Sequence, residues 1–226
     1  MNMNKLRVLF AILLMTAGSL VMRAQDDGLM VGVRAGHNAA FGGFAAVSLE
    51  THQNLCGEFS IDGGLQYNTI GRTTVEAVPA YGFPFDWGRL SVESVLSYTR
   101  LSDVNNFAAG AGLAVDSRGV SGRLGYYYRH FGGQGGWINE PFNVYYELSV
   151  HFLKKVEDWK LDFVITNCEA FELERHFQPS FIVEGCYYPS SKLGISFGVG
   201  CKPSGIFNMS ADYYQSYIKT GVCYRW

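Results

Sequence analysis

The last eleven residues, SYIKTGVCYRW (Ser216–Trp226), alternate strictly between two kinds of side chain. Counting back from the final tryptophan, every second residue belongs to a mainly apolar and aromatic set, and the residues between them are more polar. Successive side chains of a β-strand point to opposite faces, so this pattern predicts a strand with a different environment on each side. The apolar set consists of Ile218, Thr220, Val222, Tyr224 and Trp226.

The same alternation recurs along the chain from residue 28 onward. In PFNVYYELSVHFLKK (141–155) the apolar face begins at Phe142 and ends at Phe152, while the opposite face includes Glu147 and His151. A helix repeats every 3.6 residues and would not keep a period of two. Segments with this period predict twelve strands, at 28–37, 43–51, 56–68, 74–83, 88–100, 105–116, 118–130, 141–154, 157–168, 178–188, 191–202 and 213–226.

The segments between the predicted strands alternate in length. Every second connection, beginning with the one at 52–54, is short or rich in turn residues. The intervening ones are mostly longer, as at 36–43 and 131–140, although 102–105 is short. Tight turns at one rim and longer loops at the other are typical of transmembrane β-barrels. An even number of strands places both chain ends at the rim with the tight turns.

Composition and strand length favour a membrane barrel over a soluble β-sandwich. Charged residues make up 17% of the chain, against about 25% in an average soluble domain. The predicted strands are mostly about 9–14 residues long, which suits a tilted strand crossing a bilayer better than the ~5–6 residues usual in globular proteins. The fold predicted is all-β, a closed antiparallel transmembrane barrel of about twelve strands with ten or fourteen as alternatives. A soluble secreted β-protein that binds an apolar ligand is the structural alternative.

The first 24 residues have the composition of a secretory signal peptide. Lys5 and Arg7 precede a short apolar run, and small residues lead to Ala24. The run is shorter than the ~20 apolar residues of a spanning helix. The expected division is a signal peptide at 1–24, cleaved after Ala24, and an outer-membrane barrel at 25–226. Cleavage removes three basic residues and no acid, which leaves no basic run and excludes nucleic acid as a partner.

A final strand that ends on an aromatic residue resembles the C-terminal signal of bacterial outer-membrane β-barrel proteins. With the Ala24–Gln25 junction, the mature chain resembles the small outer-membrane barrels of Bacteroidota at the level of pattern. The resemblance implies contact with outer-membrane lipid and delivery to the outer-membrane assembly machinery, with Tyr224 and Trp226 as the assembly signal. It names no activity. In a closed barrel the last strand would pair with the first, which leaves no free edge.

The sequence contains none of the short motifs that mark common enzyme or cofactor sites. HExxH, GxSxG, GxxxxGK[ST] and CxxC are absent, so no catalytic residue, cofactor or metal is predicted. Ser149 and His151 share a strand face and would suit a nucleophile and its base, but are interpreted as two polar residues of the interior. The five cysteines match no zinc pattern, and a disulfide among Cys168, Cys186 and Cys223 stays open.

The inward face of the predicted strands contains many charges of both signs. It predicts either a narrow passive channel that filters solutes by charge or a structural or interaction barrel filled by ion pairs, which the near balance of signs favours. A non-enzymatic barrel is therefore the first hypothesis, and an outer-membrane enzyme acting on lipid or lipopolysaccharide is the second. The predicted lumen charges are Arg34, Glu58, Asp62, Arg89, Glu93, Arg123, Arg129, Glu147, Lys160, Asp162, Glu184 and Lys219, with Glu76, Lys192 and Arg225 on the same face.

Overall fold

The computed structural model describes residues 27–152, 158–167, 178–205 and 210–226. These residues form one sheet of twelve antiparallel strands. No helix in the described ranges is long and apolar enough to cross a membrane. The strands are β1 (Gly28–Asn38), β2 (Gly42–Cys56), β3 (Phe59–Asn68), β4 (Arg72–Phe85), β5 (Gly88–Leu101), β6 (Val104–Ser117), β7 (Val120–Gly133), β8 (Gly136–His151), β9 (Trp159–Thr166), β10 (Ser180–Tyr187), β11 (Leu193–Gly205) and β12 (Ser210–Arg225).

The sheet closes into a barrel. Each strand pairs with its neighbours in sequence, and β12 pairs with β1 from Gly28 opposite Arg225 to Asn38 opposite Gln215. Because the first and last strands satisfy each other's backbone groups, neither is an edge. Gly28 and Arg225 lie at what we call the terminal rim, together with the turns after β2, β4, β6, β8 and β10. The connections after the other strands lie at the opposite rim.

The twelve predicted strands are confirmed, but the predicted difference in connection length is wrong for much of the barrel. The sequence predicts loops over 36–43 and 131–140, yet β1 and β2 are joined by 39–41, and β7 and β8 by 134–135. Glycine-rich composition suggests loops in these segments. In the structure the backbone ladder continues nearly to the rim, and Gly136, with φ of 119°, helps to close the tight turn.

The outer surface of the barrel is apolar. Aliphatic side chains form a band around its middle, and aromatic side chains flank the band near both rims, as rings do at the two interfaces of a membrane. The aliphatic band consists of Val31, Val33, Val47, Val92, Leu96, Leu113, Leu124, Val144, Leu148, Val183, Ile195, Val199, Ile218 and Val222. The aromatic residues are Phe83, Phe85, Trp87, Phe152, Trp159, Tyr187, Tyr224 and Trp226 at the terminal rim, and Phe41, Tyr67, Phe107, Tyr128 and Trp137 at the opposite rim.

Inside the barrel, two tyrosines fill the side formed by β4–β8. Tyr127 and Tyr145 are buried in a small apolar cluster with side chains of β4, β5 and β6. Glycines on the neighbouring strands make room for them, since a Cβ at Gly112 or Gly125 would overlap the Tyr145 side chain. Gly112 belongs to the stretch GAGLAV (110–115), whose small residues thus relieve crowding inside the barrel. The cluster narrows the interior on this side.

Candidate functional site: the barrel interior

Two adjoining cavities occupy the interior between the middle of the barrel and the terminal rim. The larger has a volume of about 540 Å³ and the smaller about 410 Å³. Asp62, Arg123, Glu147 and Lys160 line both cavities, and we call the two cavities together the lumen. The smaller cavity lies beside the turns that follow β6 and β8, while the larger extends to β1, β2 and β12.

The structure places most of the charges predicted for the interior in the lumen. Two of the others, Glu58 and Arg89, lie at the terminal rim with 3.9 Å between Glu58 Oε2 and Arg89 Nη2. Arg129 lies outside the two cavities, and Lys192 is exposed in the turn after β10. The predicted charges that line the lumen are Arg34, Asp62, Glu76, Arg123, Glu147, Lys160, Glu184, Lys219 and Arg225 in the larger cavity, with Glu93 and Asp162 added by the smaller.

Several of these opposite charges form ion pairs. Lys219 Nζ lies 2.7 Å from Glu184 Oε2, and Arg123 Nε lies 3.1 Å from Glu93 Oε1. The Tyr145 hydroxyl donates a hydrogen bond of 2.9 Å to the same Glu93 oxygen. Because Glu93 is only 5% exposed, its charge depends on these two donors rather than on water.

Sequence reasoning missed two acids and one histidine of the lumen, namely Glu50, Asp116 and His52. The turn predicted at 52–54 is wrong, because β2 runs on to Cys56 and turns only afterwards. His52 therefore lies on the inward face of a strand that is longer than predicted, and Glu50 lies on the same face within the predicted part of the strand. The two-residue alternation continues past residue 51, and that was the signal available in the sequence.

Acidic side chains outnumber basic ones in the lumen. Eight acidic and five basic residues line it. The sequence predicts nearly equal numbers of acidic and basic residues in the interior, whereas the residues that line the lumen include more acids than bases. The acids are Glu50, Asp62, Glu76, Glu93, Asp116, Glu147, Asp162 and Glu184, and the bases are Arg34, Arg123, Lys160, Lys219 and Arg225.

Several buried polar side chains lie in the interior near the opposite rim. Arg129 is 1% exposed, and its Nη2 lies 2.7 Å from Glu140 Oε2. Its guanidinium carbon also lies 4.5 Å from the centroid of the Phe131 ring. The same layer includes Asn38, Asn68, Thr99, Asn106, Asn143, Thr166 and Ser180.

Two histidines near the terminal rim each contact an aspartate on the next strand. His52 Nδ1 contacts Asp62 Oδ1, and His151 Nδ1 lies 2.7 Å from Asp162 Oδ1. The sequence places Ser149 beside His151, but a different serine meets the second ring nitrogen. His151 Nε2 lies 3.1 Å from Ser121 Oγ on β7.

The cysteines include one close pair. Cys186 on β10 and Cys223 on β12 have their Sγ atoms 3.2 Å apart, and both are free thiols. Cys201 is exposed on the outer face. Cys168, the third residue considered for a disulfide, lies outside the described residues.

Tyr224 and Trp226 lie on the outer surface at the terminal rim. Their ring centroids are 5.9 Å apart, and the Trp226 amide donates a hydrogen bond of 3.3 Å to the carbonyl oxygen of Asp27. Both rings are exposed. This is the position that interfacial aromatic anchors occupy in membrane barrels.

No family model and no curated protein matches this sequence. Among solved structures, a KdgM porin in complex with disordered oligogalacturonate matches with a TM-score of 0.58 at 13% identity, over 87% of this chain and 99% of that chain. The NanC porin matches with a TM-score of 0.56 at 11% identity, over 87% of this chain and 100% of that one. The translocator domain of the autotransporter NalP from Neisseria meningitidis matches with a TM-score of 0.57 at 11% identity, over 98% and 96% of the two chains. The fold is therefore a porin-like, closed twelve-stranded β-barrel.

Proposed function

We propose that this protein is an outer-membrane channel that passes small hydrophilic solutes and prefers cations. The observation that supports this most is a charged lumen inside a barrel whose outer surface is apolar. Such a barrel offers lipid an apolar exterior and offers solutes a polar path. Passage along that path involves no chemical step, so this function requires no catalytic residue.

The preference for cations follows from the excess of acids in the lumen. Eight acidic side chains face five basic ones there, and the surrounding sheet and apolar exterior have a low dielectric constant. Charges that line such a passage concentrate ions of the opposite sign. We therefore expect potassium to cross more readily than chloride.

The ligand of a structural neighbour does not suit this lumen. One KdgM porin structure contains oligogalacturonate, a chain of acidic sugars. A polyanion would meet a net acidic lining in the present protein, and like charges repel. Small cations and neutral hydrophilic solutes fit the lining better.

Export to the outer membrane belongs to the same proposal. Residues 1–24 would act as the cleaved leader, and the junction between Ala24 and Gln25 supports an origin in Bacteroidota. Tyr224 and Trp226 would contact lipid at the periplasmic interface and present the signal read by the assembly machinery. Their exposure at the terminal rim supports both roles.

Ion selectivity in planar bilayers tests the proposed function. With a gradient of potassium chloride across a bilayer containing the purified barrel, the reversal potential should have the sign of cation selectivity. Neutralising two acids by Glu50→Gln with Asp62→Asn removes most of the acidic excess, so the reversal potential should move toward zero. Both residues line the larger cavity, so their loss acts directly on the permeating ion.

A matched pair of substitutions outside the lumen controls for overall charge. Asp86 and Asp103 are exposed in turns after β4 and β5, so Asp86→Asn with Asp103→Asn makes the same change in net charge without altering the lining. This variant should keep the wild-type reversal potential. A reversal potential of the anion-selective sign, or equal shifts in the two double variants, would contradict the proposal.

A further inference from the structure

Ser121, His151 and Asp162 form a hydrogen-bonded chain on the inner wall near the terminal rim. His151 Nδ1 lies 2.7 Å from Asp162 Oδ1, and His151 Nε2 lies 3.1 Å from Ser121 Oγ. The three residues come from β7, β8 and β9, whose register places His151 directly opposite Asp162 and diagonal to Ser121. Diagonal neighbours on one face of a sheet are within reach of long side chains.

In the other histidine–aspartate contact, between His52 and Asp62, a different group lies beside the second ring nitrogen. A histidine that contacts an aspartate does not by itself bring a hydroxyl to its second ring nitrogen. His52 also contacts an aspartate through Nδ1, but its Nε2 faces the Asn54 amide at 3.4 Å. An amide nitrogen is not a nucleophile. At His151 a serine hydroxyl occupies that position.

We propose that Ser121, His151 and Asp162 form a hydrolytic triad that cleaves short-chain acyl esters of hydrophilic solutes in the lumen. Ser121 is the nucleophile and His151 is the general base. Asp162 is a positioning residue, because it accepts from Nδ1–H and leaves Nε2 free to take a proton. This activity goes beyond the proposed channel function.

The reaction balances without any cofactor. Ser121 Oγ attacks the ester carbonyl carbon while His151 Nε2 takes the hydroxyl proton, and collapse of the tetrahedral intermediate expels the alcohol with that proton. The acyl group is then bound to Ser121. A water molecule attacks the acyl carbon and gives its proton to His151, and collapse releases the carboxylic acid while Ser121 Oγ recovers a proton. One ester and one water give one alcohol and one acid.

The cavity beside the triad indicates the substrate class. Its volume is about 410 Å³, and its lining includes Ser121, His151, Asp162, Arg123 and Lys160. A polar space of this size suits a short acyl group on a hydrophilic alcohol. It also faces away from lipid, so membrane lipid is not the substrate.

A cation in the same cavity would stabilise the oxyanion of the tetrahedral intermediate. Arg123 is held by Glu93 at 3.1 Å, whereas Lys160 projects from β9 two residues from Asp162 and lines the cavity. Lys160 therefore supplies positive charge to the cavity in which the oxyanion forms. Stabilisation of this kind is often the largest single contribution to acyl transfer.

Covalent labelling tests the proposed nucleophile. The purified, folded barrel is treated with a fluorophosphonate, which phosphonylates an activated serine with loss of fluoride, and the modified peptide is located by mass spectrometry. One adduct is expected, at Ser121. Hydrolysis of p-nitrophenyl acetate should fall about 10²–10⁴-fold in His151→Gln and to the buffer rate in Ser121→Ala.

The matched control is a serine on the other face of the same barrel. Ser94 Oγ donates a hydrogen bond of 3.0 Å to the Gly110 carbonyl oxygen and lies away from the lumen, so Ser94→Ala should keep both labelling and hydrolysis. The position of the wild-type adduct decides the proposal even if a variant fails to fold. An adduct at Ser149, or none at all, would overturn it.

The positioning role of Asp162 has a separate readout. In Asp162→Asn, kcat should fall while KM stays near the wild-type value, because the amide can stabilise the wrong histidine tautomer without changing the cavity. Heat-dependent mobility on gels measures the folded fraction in parallel. If hydrolysis falls only in proportion to the folded fraction, Asp162 is structural and the triad is wrong.

Discussion

Replacing Arg123 with methionine is expected to lower the free energy of unfolding by about 3–5 kcal/mol, the usual cost of removing one partner of a buried ion pair. Arg123 Nε lies 3.1 Å from Glu93 Oε1. Glu93 is 5% exposed, so its carboxylate has little contact with water and depends on the guanidinium that the variant removes. Arg123 is also directly opposite Glu147 in the β7–β8 register. The variant therefore leaves acidic charge uncompensated, and chemical unfolding of the barrel in detergent measures the loss.

A second substitution separates charge from packing at this position. Adding Glu93→Gln to Arg123→Met removes the stranded carboxylate while keeping an acceptor for the Tyr145 hydroxyl, whose bond to Glu93 is 2.9 Å long. The double variant should recover a large part of the lost stability, because the penalty comes from an unpaired buried charge. If the two substitutions are simply additive, the ion pair does not stabilise the barrel in the way described.

Replacing Val33 with arginine should lower stability in the membrane by about 2–4 kcal/mol, the cost of a basic residue on the lipid face near the bilayer midplane. Val33 is the sixth of the eleven residues of β1 and is 52% exposed on the outer surface. Its neighbours across the sheet are Val47 and Thr220. Unfolding of the barrel in lipid vesicles measures the change.

The same charge on the inner face provides the control. Gln66 lies on β3 and lines the larger cavity, so Gln66→Arg places an arginine in a wet space with an excess of acids. It should change stability by much less than Val33→Arg does. Equal losses for the two variants, or a larger loss for Gln66→Arg, would mean that the two faces of the sheet are assigned the wrong way round.

The number of strands and the face of the sheet to which each side chain points could be predicted from the sequence, because both depend on local alternation of apolar and polar residues. The two faces of Ser216–Trp226 differ enough in polarity to show which residues share a side, and the same holds for most other strands. The shortness of the connections between strands could not be predicted in the same way. The stretch 131–140 is rich in glycine, and composition alone cannot show that a backbone ladder continues through it to Gly133 and Gly136.

Which side chains form ion pairs and hydrogen bonds in the lumen depends on the register between strands. The alternation of residues within one strand does not reveal that register. Lys219 and Glu184 belong to strands separated by β11 and still meet at 2.7 Å. His151 was visible as an inward residue, but its contact with Ser121 requires the alignment of β7 with β8. The near neighbour Ser149 was the natural candidate because a sequence shows proximity only along the chain.

Depth-dependent quenching of tryptophan fluorescence tests the central claim, that the apolar outer surface faces lipid. All four tryptophans of the chain, Trp87, Trp137, Trp159 and Trp226, are exposed on that surface close to a rim. In vesicles made with brominated lipids, emission should be quenched strongly by bromines near the headgroups, less by bromines near the bilayer centre, and little by aqueous iodide. Strong quenching by iodide with none by brominated lipid at any depth would contradict the membrane barrel.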